Sequence, residues 1–115
     1  FFMNKTDAFV HFLVESGALK FGDFVTKSGR NTPYFINTGE FRTGASLSKL
    51  AEFYAAAFVE HFDGKATNLY GPAYKGIPLC AAPAMKLSDV YAKNLTFTYN
   101  RKEVKDHGEG GSLVG

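Results

Sequence analysis

Ala66-Thr67-Asn68-Leu69-Tyr70 runs into Gly71-Pro72-Ala73-Tyr74-Lys75-Gly76, then into Ile77 to Leu87, and after a break into Leu95 to Tyr99. The first and last of these are short β-prone runs, and the third is an apolar segment of helical length. Strand, glycine-containing loop, helix and strand make a βαβ unit, which predicts parallel strands joined by a right-handed crossover. In sheets of this kind ligands bind beyond the carboxyl ends of the strands. Two loops leave from that edge, Gly71–Gly76 and the stretch that follows Tyr99. The fold class is therefore α/β, with a parallel sheet core flanked by helices.

The second loop, Asn100 to Gly111, carries Arg101, Lys102, Lys105 and His107 among the acids Glu103, Asp106 and Glu109, and ends in glycines. Only Val104 offers an apolar anchor, so the stretch cannot bury enough to hold one conformation by itself. Arg and Lys supply donors for phosphate oxygens. Two readings fit: a solvated surface loop of mixed charge, or a mobile, cation-bearing loop that closes over an anionic substrate. The Gly71–Gly76 loop precedes a helix N-terminus, where free N–H groups and the helix dipole favour an anion, and Lys75 adds a charge. The spacing of its glycines is a weak signal. It lacks the Lys-Ser/Thr pair of a P-loop, since Ile77 and Pro78 follow Gly76.

Upstream, Thr6 and Asp7 are expected to cap a helix bearing Phe9, Val10, Phe12 and Leu13, closed by Glu15-Ser16-Gly17. The aromatic stripe reads as packing and His11 as a flank residue. Phe21–Thr26 and Asn31–Asn37 flank Lys27-Ser28-Gly29-Arg30, which predicts a hairpin with Lys27 and Arg30 projecting from the turn. A lone hairpin lysine is ordinarily just solvated. Gly39 to Thr43 form a loop. A core-facing helix is predicted from Ser46 to about His61, with Leu47, Leu50, Ala51, Tyr54, Ala57 and Phe58 on one face.

With 115 residues the chain suits one small domain, and 45% hydrophobic residues give it a real core. Net charge of +2, spread along the chain, gives no case for a nucleic-acid partner. No apolar run approaches the length of a membrane span, and Phe1-Phe2-Met3 is too short for a signal segment. The single Cys80 cannot form an internal disulfide and fits a reducing, cytoplasmic location. It reads as packing within its helix, not as a nucleophile.

Four segments together resemble orotate phosphoribosyltransferases, in that family's order: Leu19 to Phe24 with Lys27 to Arg30, Pro33 to Asn37, Gly71 to Pro78, and Asn100 to Gly111. The resemblance implies the type I phosphoribosyltransferase fold in one domain. An N-terminal helix and β-hairpin hood would occupy about residues 1–42, the start of the α/β core about 43–100, and a flexible catalytic loop about 101–111. It implies transfer of ribose 5-phosphate from phosphoribosyl pyrophosphate to N1 of orotate with Mg²⁺, giving orotidine 5′-monophosphate and pyrophosphate in pyrimidine synthesis. Lys27 corresponds to a substrate-site lysine. Phe35 and Ile36 correspond to a Phe-Phe pair bordering the orotate ring, with Ile36 contributing through backbone and packing. Tyr74 and Lys75 match the pair that contacts the pyrophosphate-bearing substrate. Arg101, Lys102, Lys105 and His107 match the catalytic loop, which in the family reaches the neighbouring subunit's site, so a homodimer is implied. No protein metal ligand is expected.

The resemblance spans almost all of this chain but about the first half of the family's. The family's acidic pair and Thr-Ala-Gly-Thr-like phosphate loop are expected beyond Gly115, because the chain contains no Asp-Asp or Glu-Asp pair. The C-terminal part of the fold is thus expected to be absent and the chain alone incomplete for catalysis. Two alternatives remain open at this level: an inactive N-terminal fragment that folds or dimerises, and the N-terminal domain of a bifunctional UMP synthase.

Overall fold

A computed structural model describes residues 4–103 and 112–115. Of the expected catalytic-loop residues, Arg101 and Lys102 are therefore described, whereas Lys105 and His107 lie outside the described residues. The chain divides into two compact units, 1–46 and 47–115.

The first unit holds α1 (Lys5–Glu15) and an antiparallel hairpin of β1 (Leu19–Val25) and β2 (Asn31–Ile36). The cap of α1 differs from the expectation. Asn4, not Thr6 or Asp7, is the N-cap, and its side chain accepts from the Asp7 backbone N–H at 2.7 Å. Thr6 and Asp7 fall inside the first turn, where the Asp7 carboxylate still meets the positive end of the helix dipole. His11 pairs with Glu15 one turn on, at 3.0 Å, a solvated flank contact. The predicted hairpin forms, with Leu19 opposite Ile36 and Val25 opposite Asn31. A register shift between Phe21 and Phe24 bends β1. A short 3₁₀ turn, Thr38–Glu40, occupies part of the expected loop.

Helix α2 (Gly44–Phe62) starts at the end of the first unit and continues into the second. There it is followed by β3 (Asn68–Tyr70), α3 (Gly76–Tyr91), β4 (Thr96–Asn100) and β5 (Leu113–Val114). Strands β3 and β4 pair in parallel, as the βαβ pattern requires, with Asn68 opposite Thr96 and Tyr70 opposite Thr98. The sheet order is β3-β4-β5, and β5 is antiparallel to β4. That two-residue strand went unpredicted because so short a run carries no alternation to read.

Ala55, Phe58 and Leu87 form the centre of the second unit's core, with Val59, Ala66, Leu69 and Leu95 packed around them. The expected face of α2 holds for Leu50, Ala51 and Phe58, but the buried alanine is Ala55 and the predicted Ala57 is exposed. Ala51, Ala55 and Phe58 follow an i, i+4, i+7 row, and two alanines two positions apart weigh almost equally in a hydrophobic pattern. Helix α3 outruns its predicted end at Leu87 by a turn. It stops at Ala92, in the left-handed region at φ 56°, whose N–H returns to the Leu87 carbonyl. No glycine marks that stop, so the sequence did not announce it. Among the described residues, no helix is long and apolar enough to cross a membrane.

Candidate functional site

Because β3 and β4 are parallel, the chain leaves both at the same edge, through Gly71 and Arg101 respectively. The Gly71 N–H donates to the Thr98 carbonyl at 2.9 Å, and the Ala73 N–H to Asn100 Oδ1 at 2.7 Å. These bonds tie the Gly71–Gly76 loop to the end of β4. Across them, the Tyr74 hydroxyl meets Glu103 Oε1 at 2.6 Å, and Lys102 Nζ stands 5.3 Å from the centre of the Tyr74 ring. The Arg101 N–H donates to the Ser112 carbonyl at 2.7 Å, closing the base of the segment between β4 and β5.

Both loop glycines are required by close approach. A Cβ on Gly71 would lie 2.1 Å from the Gly76 carbonyl oxygen and 2.6 Å from Cys80 Sγ. One on Gly76 would lie 2.7 Å from Pro72 Cδ. The same tight turn changes the expected anion cradle. The Gly76 and Ile77 N–H groups turn back to the Pro72 and Tyr74 carbonyls, at 2.9 and 3.2 Å, and Pro78 has no N–H. The first turn of α3 thus offers an anion little beyond its dipole, and Tyr74, Lys75 and Lys102 carry side-chain donors beside it. Lys75 is exposed and forms no ion pair with another described residue.

The hydrogen bond from Tyr74 to Glu103 holds the phenol above its usual pKa, with desolvation and the adjacent negative charge adding to it. We expect the difference titration of phenolate absorbance, wild type minus Tyr74→Phe, to show Tyr74 ionising above the ordinary tyrosine range. Glu103→Gln is expected to move that titration down, and an unmoved curve would show that the contact is not made in solution.

Lys27, Phe35 and Ile36 belong to the first unit. Lys27 sits exposed in a turn organised by Thr26. The Thr26 N–H donates to the Arg30 carbonyl at 2.9 Å, the Thr26 hydroxyl accepts from the Arg30 N–H at 3.1 Å, and Gly29 takes φ +84°. The Phe35 ring leans on Phe24, with centroids 5.7 Å apart, and stays half exposed. Phe35 and Ile36 are successive strand residues, so their side chains face opposite sides of the hairpin.

An open apolar groove of about 250 Å³ in the second unit, lined by Tyr54, Phe58, Leu69, Tyr70, Cys80 and Leu87 among others, carries no cation. Cys80 is buried there, and its thiol contacts the Ile77 carbonyl at 3.3 Å. Burial pushes its pKa up, away from the thiolate a nucleophile needs. The cationic side chains Lys75, Arg101 and Lys102 lie on the loops and not in the lining of this groove.

Sequence reading missed two residues here. Asn100 is read as a loop residue but binds the Ala73 backbone, and Glu103 is read as one of several loop acids but binds Tyr74. Each contact joins positions 27 or 29 residues apart, for which one sequence holds no signal.

No family model matches the chain. An orotate phosphoribosyltransferase from Clostridium acetobutylicum is 56% identical over 107 residues, covering 93% of this chain and 48% of that protein. One from Polaromonas naphthalenivorans is 57% identical over 110 residues, covering 93% and 46%. Among solved structures, orotate phosphoribosyltransferase from Francisella tularensis superposes with a TM-score of 0.78 at 44% identity, covering 94% of this chain and 50% of that one. UMP synthase from Leishmania donovani gives 0.64 at 26% identity, covering 94% and 21%. The chain spans about half the length of the curated relatives it matches. The α/β unit with its carboxyl-edge loops is thus part of a type I phosphoribosyltransferase fold. Within that class, the chain corresponds by sequence and by fold to the N-terminal half of orotate phosphoribosyltransferases.

Proposed function

We propose that the protein containing this chain transfers ribose 5-phosphate from phosphoribosyl pyrophosphate to orotate, giving orotidine 5′-monophosphate and pyrophosphate. The observation that carries this reading is the meeting of Tyr74, Lys102 and Glu103 at the carboxyl edge of the parallel pair, with Lys75 on the same loop. An edge of this kind is where α/β sheets take their ligands, and the donors of Tyr74, Lys75 and Lys102 there suit a polyanion.

Breaking the C1′–O bond builds positive charge on the ribose and negative charge on the departing pyrophosphate. Donors that meet the growing negative charge stabilise the transition state more than the ground state. In this reading Tyr74 and Lys75 hold the pyrophosphate group while Arg101 and Lys102 face it from the end of β4. Lys105 and His107 would add donors or a proton at a pyrophosphate oxygen, and Lys27, Phe35 and Ile36 would serve the orotate side. Among the described residues no three His, Cys, Asp or Glu side chains gather as a cation site. In this proposal Mg²⁺ would be brought to the site with the substrate's phosphate groups. A homodimer sharing loops across subunits, in the cytoplasm, completes the proposal.

The test is the fall in orotate absorbance when the whole protein is mixed with phosphoribosyl pyrophosphate and Mg²⁺. Turnover is expected, and its absence at high enzyme concentration would favour a folded but inactive module. The likeness to a UMP synthase keeps a bifunctional protein as the second reading, which release of CO₂ from orotidine 5′-monophosphate by the same protein would establish.

A further inference from the structure

The Tyr74–Glu103 contact places a carboxylate on a donor that an anionic substrate needs. The Gly76 and Ile77 N–H groups are turned inward and Pro78 lacks one, and the Tyr74 hydroxyl is a neutral side-chain donor on this loop. It is committed to Glu103 Oε1 at 2.6 Å, in the range of a hydrogen bond to a charged acceptor. Lys102, next in sequence to Glu103, lies over the same ring, so one short strap after β4 engages both the face and the hydroxyl of Tyr74. Tyr74 and Glu103 are both exposed, so exchanging one acceptor for another uncovers no buried group.

We propose that Glu103 is a positioning residue that competes with the pyrophosphate group for the Tyr74 hydroxyl, holding Tyr74 against the end of β4 until the anion displaces its carboxylate. The inference rests on reading Gly71–Gly76 as the pyrophosphate loop. A phosphate oxygen replaces the carboxylate as acceptor, so the number of hydrogen bonds is conserved. What changes is charge: two anions cannot share one donor without repulsion, and Glu103 swings clear as the substrate seats. The residue thereby makes the empty loop a weaker general anion site, which favours ligands carrying enough charge to evict it.

Titration calorimetry with inorganic pyrophosphate and the whole protein tests this with wild type, Glu103→Gln, Tyr74→Phe and the double variant. Glu103→Gln is expected to tighten pyrophosphate binding by about five-fold, the effect of removing roughly one surface charge interaction. In the Tyr74→Phe background the same substitution is expected to gain less than about two-fold, since the shared donor is gone. An equal gain in both backgrounds would reduce Glu103 to a plain negative charge and overturn the proposal alone. Weaker binding by Glu103→Gln would also overturn it, by making the carboxylate part of the bound geometry. Absence of pyrophosphate binding in all four proteins, each with a wild-type unfolding midpoint, would overturn the pyrophosphate reading of the loop and this proposal with it.

Discussion

Lys105→Ala is expected to lower kcat for orotidine 5′-monophosphate formation by roughly 10²–10³-fold, in the range found when one donor to a developing negative charge is removed. The Kd for orotate is expected to stay within about three-fold of wild type, since a donor that acts on the growing charge adds little to ground-state binding. Orotate gains no negative charge as the C1′–O bond breaks, whereas the pyrophosphate does. A lysine serving the leaving group therefore acts on the chemical step and spares the acceptor base. Presteady-state turnover together with equilibrium orotate binding separates the two quantities. Parallel losses in both would remove Lys105 from the leaving-group role and make it a binding residue.

Gly71→Ala is expected to destabilise the fold by about 1–3 kcal/mol, the usual cost of forcing atoms into a filled space. The alanine Cβ would stand 2.1 Å from the Gly76 carbonyl oxygen, which is backbone and cannot rotate away. The turn would have to open, releasing the Gly71 bond to Thr98 or the Gly76 bond to Pro72. Because the same turn aims Tyr74 and Lys75, phosphoribosyl pyrophosphate binding should weaken along with stability. Gly44→Ala is the control. Gly44 opens α2, has no heavy atom within 4 Å of an added Cβ and no positive φ, so it should be neutral or slightly stabilising. Denaturant midpoints for the two variants give the comparison, and equal midpoints would mean that the Gly71 approach is looser than the structure has it.

Much of the fold was legible because its signals are local. Two β-prone runs flanking Ser28-Gly29 marked the hairpin, and strand, glycine loop, helix and strand marked the parallel pair. Where signals were local but degenerate, the reading slipped. Asn4 and Asp7 are both good capping types three residues apart, and only the hydrogen bond decides between them. Ala55 and Ala57 are chemically the same residue, and only the packing of α2 chose one. The end of α3 rests on Ala92 in a left-handed state that alanine rarely takes, held by its bond to Leu87.

The sequence by itself determined that this chain has an α/β core, that two loops leave one sheet edge, and that Tyr74, Lys75, Arg101 and Lys102 lie on them. Those conclusions need only periodicity, the handedness of βαβ connections and the positions of glycines. Only the tertiary structure decided that the α3 N-terminus has spent its N–H groups on Pro72 and Tyr74, and that Glu103 rather than solvent holds the Tyr74 hydroxyl. The physical reason is distance along the chain. A contact between residues 29 apart depends on how two strands register, and a backbone donor is available or spent according to a turn geometry that many sequences share.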